Sequence, residues 1–383
     1  MALRVVLREW TRIGCIGFGG PPAHIALLRK LCVTERGWLS ASDFEDAVAA
    51  TNLLPGPAST QLAIYCAWRL RGRTGAILGG LCFILPGLVL ILALSALFLA
   101  GRPPAWVDGA AAGAGAAVPA VALHAAGGLL PASWKRAGTQ PAGRARWAGY
   151  LAAGGLAAVL LGPYLALVLL GCALVELLAR TGRPTGPGDR LRSVAVPLAG
   201  PAVGAAGGLF AVAWVAFKVG ALSYGGGFVI IPLMQHDAVH VYHWMSAARF
   251  LDAVALGQVT PGPVVQTVAV VGYAAAGVGG GLLAAAIAFA PSFCFVLLGA
   301  RHFDALRRSA RIQACLTGAG PAAVGGIAGA ALPLALSLAH VWQVPVLIAA
   351  TVALLAARRS VVTTLVGAGA IGVVAALVGA PVT

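Results

Sequence analysis

The chain has 383 residues, of which 60% are hydrophobic and 10% charged, and it carries a formal net charge of +15. With a mean hydropathy of +0.92, it lies far from a soluble domain, in which roughly one-quarter of residues are charged, so an all-α integral membrane protein in the cell membrane is expected. Its basic residues fall in short connectors between apolar segments, as the positive-inside rule requires, and not in aromatic-interleaved stretches, so no nucleic acid partner is expected.

The first segment carries Arg4, Arg8 and Arg12 and ends in the glycine run Gly17-Phe18-Gly19-Gly20. A cation in an apolar segment faces a cavity or snorkels to the interface, so Arg12 is a candidate anion ligand or an interfacial anchor. Gly19 and Gly20 admit positive φ and close backbone approach; their N–H groups form an anion-holding concavity, or the glycines serve tight helix crossing. Ser40, Ser42 and Asp43 then cap a predicted helix running to about Leu54, which Pro55-Gly56-Pro57 ends. Pro57 suits the first position of a new helix through Gln61 and Tyr65. Two half-helices therefore meet here, and the amino-terminal end of the second offers N–H groups and a partial positive charge to an anion. Ser59, Thr60 and Gln61 add hydroxyl and amide groups, and Asn52 lies on the preceding end. Asp46 is a proton-coupling candidate, or an acid that complements the helix dipole.

Residues 75–99 and 107–130 each reach the approximately 20 apolar residues that cross the hydrocarbon as a helix. Glu176, close to the inner end of a later apolar segment, is a weaker coupling candidate. The Gly- and Pro-containing stretch 181–203 reads as a cytoplasmic linker between a first repeat, 1–180, and a second, 204–383.

The second repeat restates the first at an offset of 206 residues. Between 14–57 and 220–263, 17 of 44 positions are identical without a gap. Lys218 matches Arg12, Gly225 and Gly226 match Gly19 and Gly20, Asp252 matches Asp46, and Pro261-Gly262-Pro263 matches the first break. Gln258 and Thr260 precede that second break, and Gln266 and Thr267 follow it. Residues 280–300 and 361–380 are again long enough to span. Duplication with matched breaks is the signature of a transporter built from two related halves around a midplane site. Arg69, Arg71 and Arg73 precede the span at 75–99, whereas Arg301, Arg307, Arg308 and Arg311 follow its counterpart at 280–300, so the halves are expected to be inverted. Inversion predicts an external amino terminus, whereas Arg4, Arg8 and Arg12 argue for an internal one.

His236, Asp237, His240 and His243 have metal-like spacing, but without soft ligands they read as solvated residues of an outer loop, and no metal or other cofactor is expected. The seven cysteines lack C-x-x-C spacing and read as packing residues. No Ser-His-acid set or H-E-x-x-H motif supports an enzyme.

Phe18-Gly19-Gly20-Pro21-Pro22-Ala23-His24-Ile25-Ala26-Leu27, Trp38-Leu39-Ser40, Leu54-Pro55-Gly56-Pro57-Ala58-Ser59-Thr60-Gln61, Gly225-Gly226-Gly227-Phe228 and Gln258-Val259-Thr260-Pro261-Gly262-Pro263 together resemble the long-chain, two-domain members of the chromate ion transporter family. The resemblance covers nearly the whole chain. Tyr224 stands where the family usually has Phe, and Ala67-Trp68 stands where the second copy has the more usual Gly272-Tyr273. The resemblance implies ion-coupled chromate export, with sulfate as a related tetrahedral dianion. The partners expected are an oxyanion, the bilayer, protons as coupling ion and a second copy in a homodimer. Two rivals are oxyanion uptake and a cation or metal transporter using Asp46, Asp252 and the His236 cluster.

Overall fold

A computed structural model describes residues 2–52, 54, 56–99, 103–181, 208–223, 227–299 and 309–382. Pro55, Gly225, Gly226 and nearly all of the expected linker lie outside the described residues. Every regular element among the described residues is helical, so this is an all-α multi-pass membrane protein. The first group comprises α1 (Leu3–Ile16), α2 (Pro21–Arg29), α3 (Ala41–Thr51) and α4 (Ala58–Phe98). The second comprises α5 (Ala105–Ala137), α6 (Pro141–Leu160) and α7 (Leu165–Thr181). The order then recurs as α8 (Leu209–Leu222), α9 (Ile231–Gln235), α10 (Ala247–Val259), α11 (Thr267–Gly299), α12 (Ala310–Leu336), α13 (Gln343–Thr351) and α14 (Val361–Leu377).

The expected caps are in place. Ser40 Oγ accepts from the Asp43 N–H at 3.0 Å, and Ser246 Oγ from the Arg249 N–H at 3.2 Å, so α3 and α10 start one residue later. Gly56 (φ 116°) and Gly262 (φ 107°) take the left-handed backbone that lets each chain turn from one half-helix into the next.

Neither α4 nor α11 is one continuous rod. In α4 the helix breaks at Arg71 (φ −144°) and Gly72 (φ 60°), and in α11 at Ala276 (φ −153°) and Gly277 (φ 62°). The chain then doubles back. A Cβ added to Gly75 would stand 2.4 Å from the Ala67 carbonyl oxygen, and one on Gly280 would stand 2.2 Å from that of Gly272. Each element is therefore a hairpin: a short half-helix after the Pro-Gly-Pro turn, then the long span that the sequence predicts at 75–99 or 280–300. The predicted span at 361–380 is shorter than expected, ending at Leu377. At about 1.5 Å per residue, its 17 residues fall short of the full hydrocarbon thickness.

The helices sort into two bodies that ignore the order of the chain. In the first, the core, α4 packs on α1, α3 and α11, and α11 on α8. In the second, the scaffold, α12 packs on α5, α6 and α7, while α5 packs on α13 and α14. Small residues permit the closest crossings: a Cβ on Gly154 would lie 1.9 Å from the Ala322 carbonyl oxygen, and one on Gly113 2.2 Å from that of Ala368. Each half thus completes the scaffold of the other.

Candidate functional site

The Pro-Gly-Pro turns hold the core together by reciprocal backbone bonds. The Gly56 N–H donates to the Ser223 carbonyl oxygen at 2.5 Å, and the Gly262 N–H to the Gly17 carbonyl oxygen at 2.9 Å. Ser223 and Gly17 are themselves matched at the 206-residue offset, so each turn is anchored on the helix end that precedes the glycine run of the other half. Further along, the offset becomes 205. Gly72 matches Gly277 in conformation, Pro86 matches Pro291 in sequence, and Gln61 and Gln266 each lie beside the glycine of their own turn. One residue has been lost between Pro263 and Gln266.

Between core and scaffold lies a cavity of about 300 Å³. Its wall takes Gly19, Gly20, Asn52 and Ala58 from the first half and Phe228 and Gln258 from the second, with His124 of α5 opposite. Asn52 and Gln258 are the same position in the two copies, so both amides meet in one space. Gln258 is buried, and its Nε2 has no hydrogen-bond partner among the described residues. A smaller cavity of about 120 Å³ shares Asn52, Ala58 and Leu129 with the first and adds Gly56 and Arg136.

Other predicted groups are committed to the fold. The Thr60 and Gln61 N–H groups donate to the Pro57 carbonyl oxygen at 2.9 and 3.0 Å, and the Gln266 N–H to that of Pro263 at 2.9 Å. The expectation of open amides is thereby narrowed to the residues just after each turn, Ala58 and Ser59 in the first half, because the Gln61 N–H makes the first regular bond of α4 and the Thr60 N–H a tighter bond to the same carbonyl. Pro57 itself caps α4 from one residue outside. Gln266 Nε2 donates to the Ile84 carbonyl oxygen at 2.8 Å, pinning the two hairpins together. Thr260 and Thr267 hydroxyls donate to Leu256 and Val264 carbonyls within their own turns. Ser59 Oγ lies 3.2 Å from His24 Nδ1, while His24 Nε2 is 2.8 Å from the Gly17 carbonyl oxygen. A carbonyl only accepts, so Nε2 carries the proton, and in the neutral ring Nδ1 accepts from Ser59. His24 was assigned no role by motif reasoning; its only signal was a buried polar ring between two glycine-rich turns.

The Chromate transporter family profile matches residues 5–177 and 210–373. The chain belongs to the chromate transporter family. Among relatives, it is 32% identical to the Chromate transport protein of Cupriavidus metallidurans, over 97% of this chain and 93% of that protein. It is also 32% identical to the Chromate transport protein of Pseudomonas aeruginosa, over 88% and 82% respectively. With the Probable chromate transport protein of Synechococcus elongatus it shares 29% identity, over 88% and 86%. No solved structure matches.

Within this chromate transporter family member, matched charges sit in unmatched surroundings. Arg12 is exposed and lies 3.5 Å from Glu9, whereas Lys218 is mostly buried and lies 2.5 Å from Asp237. Neither lines the large cavity. Asp237 and His236 continue α9 in a wide helical turn, not in the outer loop expected, because Asp237 is drawn in to neutralise Lys218. Among the described residues no group of three His, Cys, Asp or Glu side chains converges as a metal site. Asp46 is exposed, while Asp252 is 8% exposed and borders both an apolar crevice and a small cavity that also takes Arg249, His340 and Gln343. Gly115 makes room for it: a Cβ there would stand 2.7 Å from Asp252 Oδ1. Neighbouring Arg249 is turned to Asp108 at 2.8 Å. Glu176 accepts from Arg146 at 2.7 Å, Arg180 at 2.6 Å and Tyr150 at 3.1 Å, joining α6 to α7.

Proposed function

We propose that this chain exports chromate from the cytoplasm, coupled to proton movement, without chemical change to the substrate. The observation that carries the reading is the cavity lined by the duplicated amide residues Asn52 and Gln258 together with Gly19 and Gly20. Amide N–H donors and glycine backbone suit a tetrahedral dianion, whose oxygens accept from several directions. The names of the relatives support chromate as the substrate. Two inverted repeats, 1–180 and 204–383, are the arrangement we favour. Its supports are the reciprocal Gly56 and Gly262 bonds and the contrast between a first hairpin tip rich in Arg and a second, 274–279, with none.

Asp252 is our choice for the coupling carboxylate, because it is buried at the meeting of two cavities while Asp46 is exposed. Uptake of chromate into everted vesicles, with and without the protein, under an imposed pH gradient and with sulfate as competitor, tests the reading. Saturable, gradient-dependent uptake is expected. No uptake above control, with sulfate entering intact cells instead, would reverse the direction to oxyanion import.

A further inference from the structure

The two Pro-Gly-Pro crossings are built alike but furnished differently. At the Gly262 crossing the neighbours from the matched positions are glycines: Gly17, whose carbonyl accepts from Gly262, and Gly87, where a Cβ would lie 2.0 Å from the Pro261 carbonyl oxygen. That crossing is closed by backbone contact. At the Gly56 crossing the same two positions are serines, Ser223 and Ser292. Ser223 lends its carbonyl to the Gly56 N–H, and Ser292 Oγ lies 3.1 Å from where a Cβ on Gly56 would stand. Both side chains are 0% exposed, and neither hydroxyl has a hydrogen-bond partner among the described residues.

A buried hydroxyl without a partner destabilises a fold, and a helical serine ordinarily bonds the carbonyl four residues back, as Ser95 does to Ile91 here at 2.7 Å. Two such hydroxyls, at two independent positions where the other copy has glycine, belong to residues that touch the one turn whose glycine also borders the cavity containing Arg136: Ser292 through its Oγ and Ser223 through its carbonyl. Thr60, in the first turn of α4, adds a third unpartnered buried hydroxyl. Asn52 and Ala58 line both this cavity and the larger one.

We infer that the Gly56 crossing is a second oxyanion station, in which the Ser223 and Ser292 hydroxyls donate to a tetrahedral dianion that arrives past Arg136. The inference rests on the oxyanion reading above and assigns the two serines to substrate binding. The Gly262 crossing, with glycines in their place, is closed by backbone contact and offers no such hydroxyls.

The test uses the purified full chain in detergent, with chromate and sulfate as probes, and records melting temperature without anion and the Kd for each anion. Ser223→Ala, Ser292→Ala and the double variant are expected to melt at or above the wild-type temperature, since each removes an unpartnered hydroxyl. The double variant is expected to bind chromate about 10-fold or more weakly, because hydrogen bonds to a charged group are lost. Wild-type chromate affinity in the double variant, while the wild type binds, would overturn the station and leave the oxyanion reading intact. A lowered melting temperature accompanying weak binding would make the serines structural and also overturn it. Absence of chromate binding and transport in the wild type would instead sink the oxyanion reading itself. Ser292→Gly, copying the other half, gives an independent second reading of affinity.

Discussion

Arg12 and Lys218 match in charge, and Asp46 and Asp252 in residue type, but their surroundings have diverged. In the first half the matched charges are exposed: Arg12 stands at 59% beside a buried Glu9, and Asp46 is exposed as well. In the second they are drawn into the protein, with Lys218 at 13% against Asp237 at 6%. The amides Asn52 and Gln258, by contrast, have stayed together on one cavity. On the proposed reading, the symmetric groups are kept where substrate is gripped from both sides, and the others are left to specialise.

Removing the symmetric pair gives the largest expected effect. Asn52→Ala with Gln258→Ala is expected to reduce chromate uptake in everted vesicles by about 100-fold, and each single change by about 10-fold, if each amide contributes a charge-assisted hydrogen bond. Equal activity in the double variant would break the comparison at its strongest point. Next comes the buried ion pair: Lys218→Ala leaves Asp237 buried without its cation and should cost about 3 kcal/mol or more, whereas exposed Arg12→Ala should cost about 1 kcal/mol or less. Thermal unfolding would compare them, and Asp237→Asn should restore part of the stability lost in Lys218→Ala. If both lysine and arginine variants melted normally but Kd for chromate rose equally, both cations would be ligands after all.

The acids sharpen the contrast further. Asp252→Asn is expected to abolish pH-gradient-driven uptake while sparing chromate counterflow, which needs no net proton movement; Asp46→Asn should leave both near wild type. Counterflow lost together with driven uptake would move Asp252 from coupling to substrate binding. The smallest effect belongs to the matched caps. Ser40→Ala and Ser246→Ala should each cost about 1 kcal/mol by thermal or denaturant unfolding, because each leaves an N–H of the first turn of its helix without its acceptor.

Much of this was legible in the sequence because it depends on local chemistry. The half-helix ends follow from Pro-Gly-Pro, the starts of α3 and α10 from Ser40 and Ser246, and the hairpin spans from their apolar length. What could not be read depends on contacts between distant segments. The burial of Asp252 requires Gly115 of α5 to lie against it, and nothing within α10 distinguishes it from Asp46 in α3. Likewise, the tighter bond from the Thr60 N–H to the Pro57 carbonyl takes up one of the amides that a helix amino terminus leaves open by default. The single-residue loss after Pro263 shifts the offset to 205, which pairs Gln61 with Gln266 and Gly87 with Ser292, and the repeated hairpin geometry agrees with that register.

The interleaving of the scaffold has a mechanical consequence. Because α5 leans on α13 and α14 while α12 leans on α6 and α7, the sequence halves cannot swing apart like two leaves of a door. On the transport reading, movement would instead run between the hairpin-bearing core and the scaffold, where the cavity of Asn52 and Gln258 lies. Two polar fastenings bridge that seam on the described residues: the Arg249–Asp108 ion pair and the Gln235–Ser337 hydrogen bond at 3.2 Å. Sliding would have to unclasp both, and the first lies beside Asp252, three residues along the same helix. On the proposed coupling role of Asp252, proton arrival and release of the seam would fall within one turn of α10.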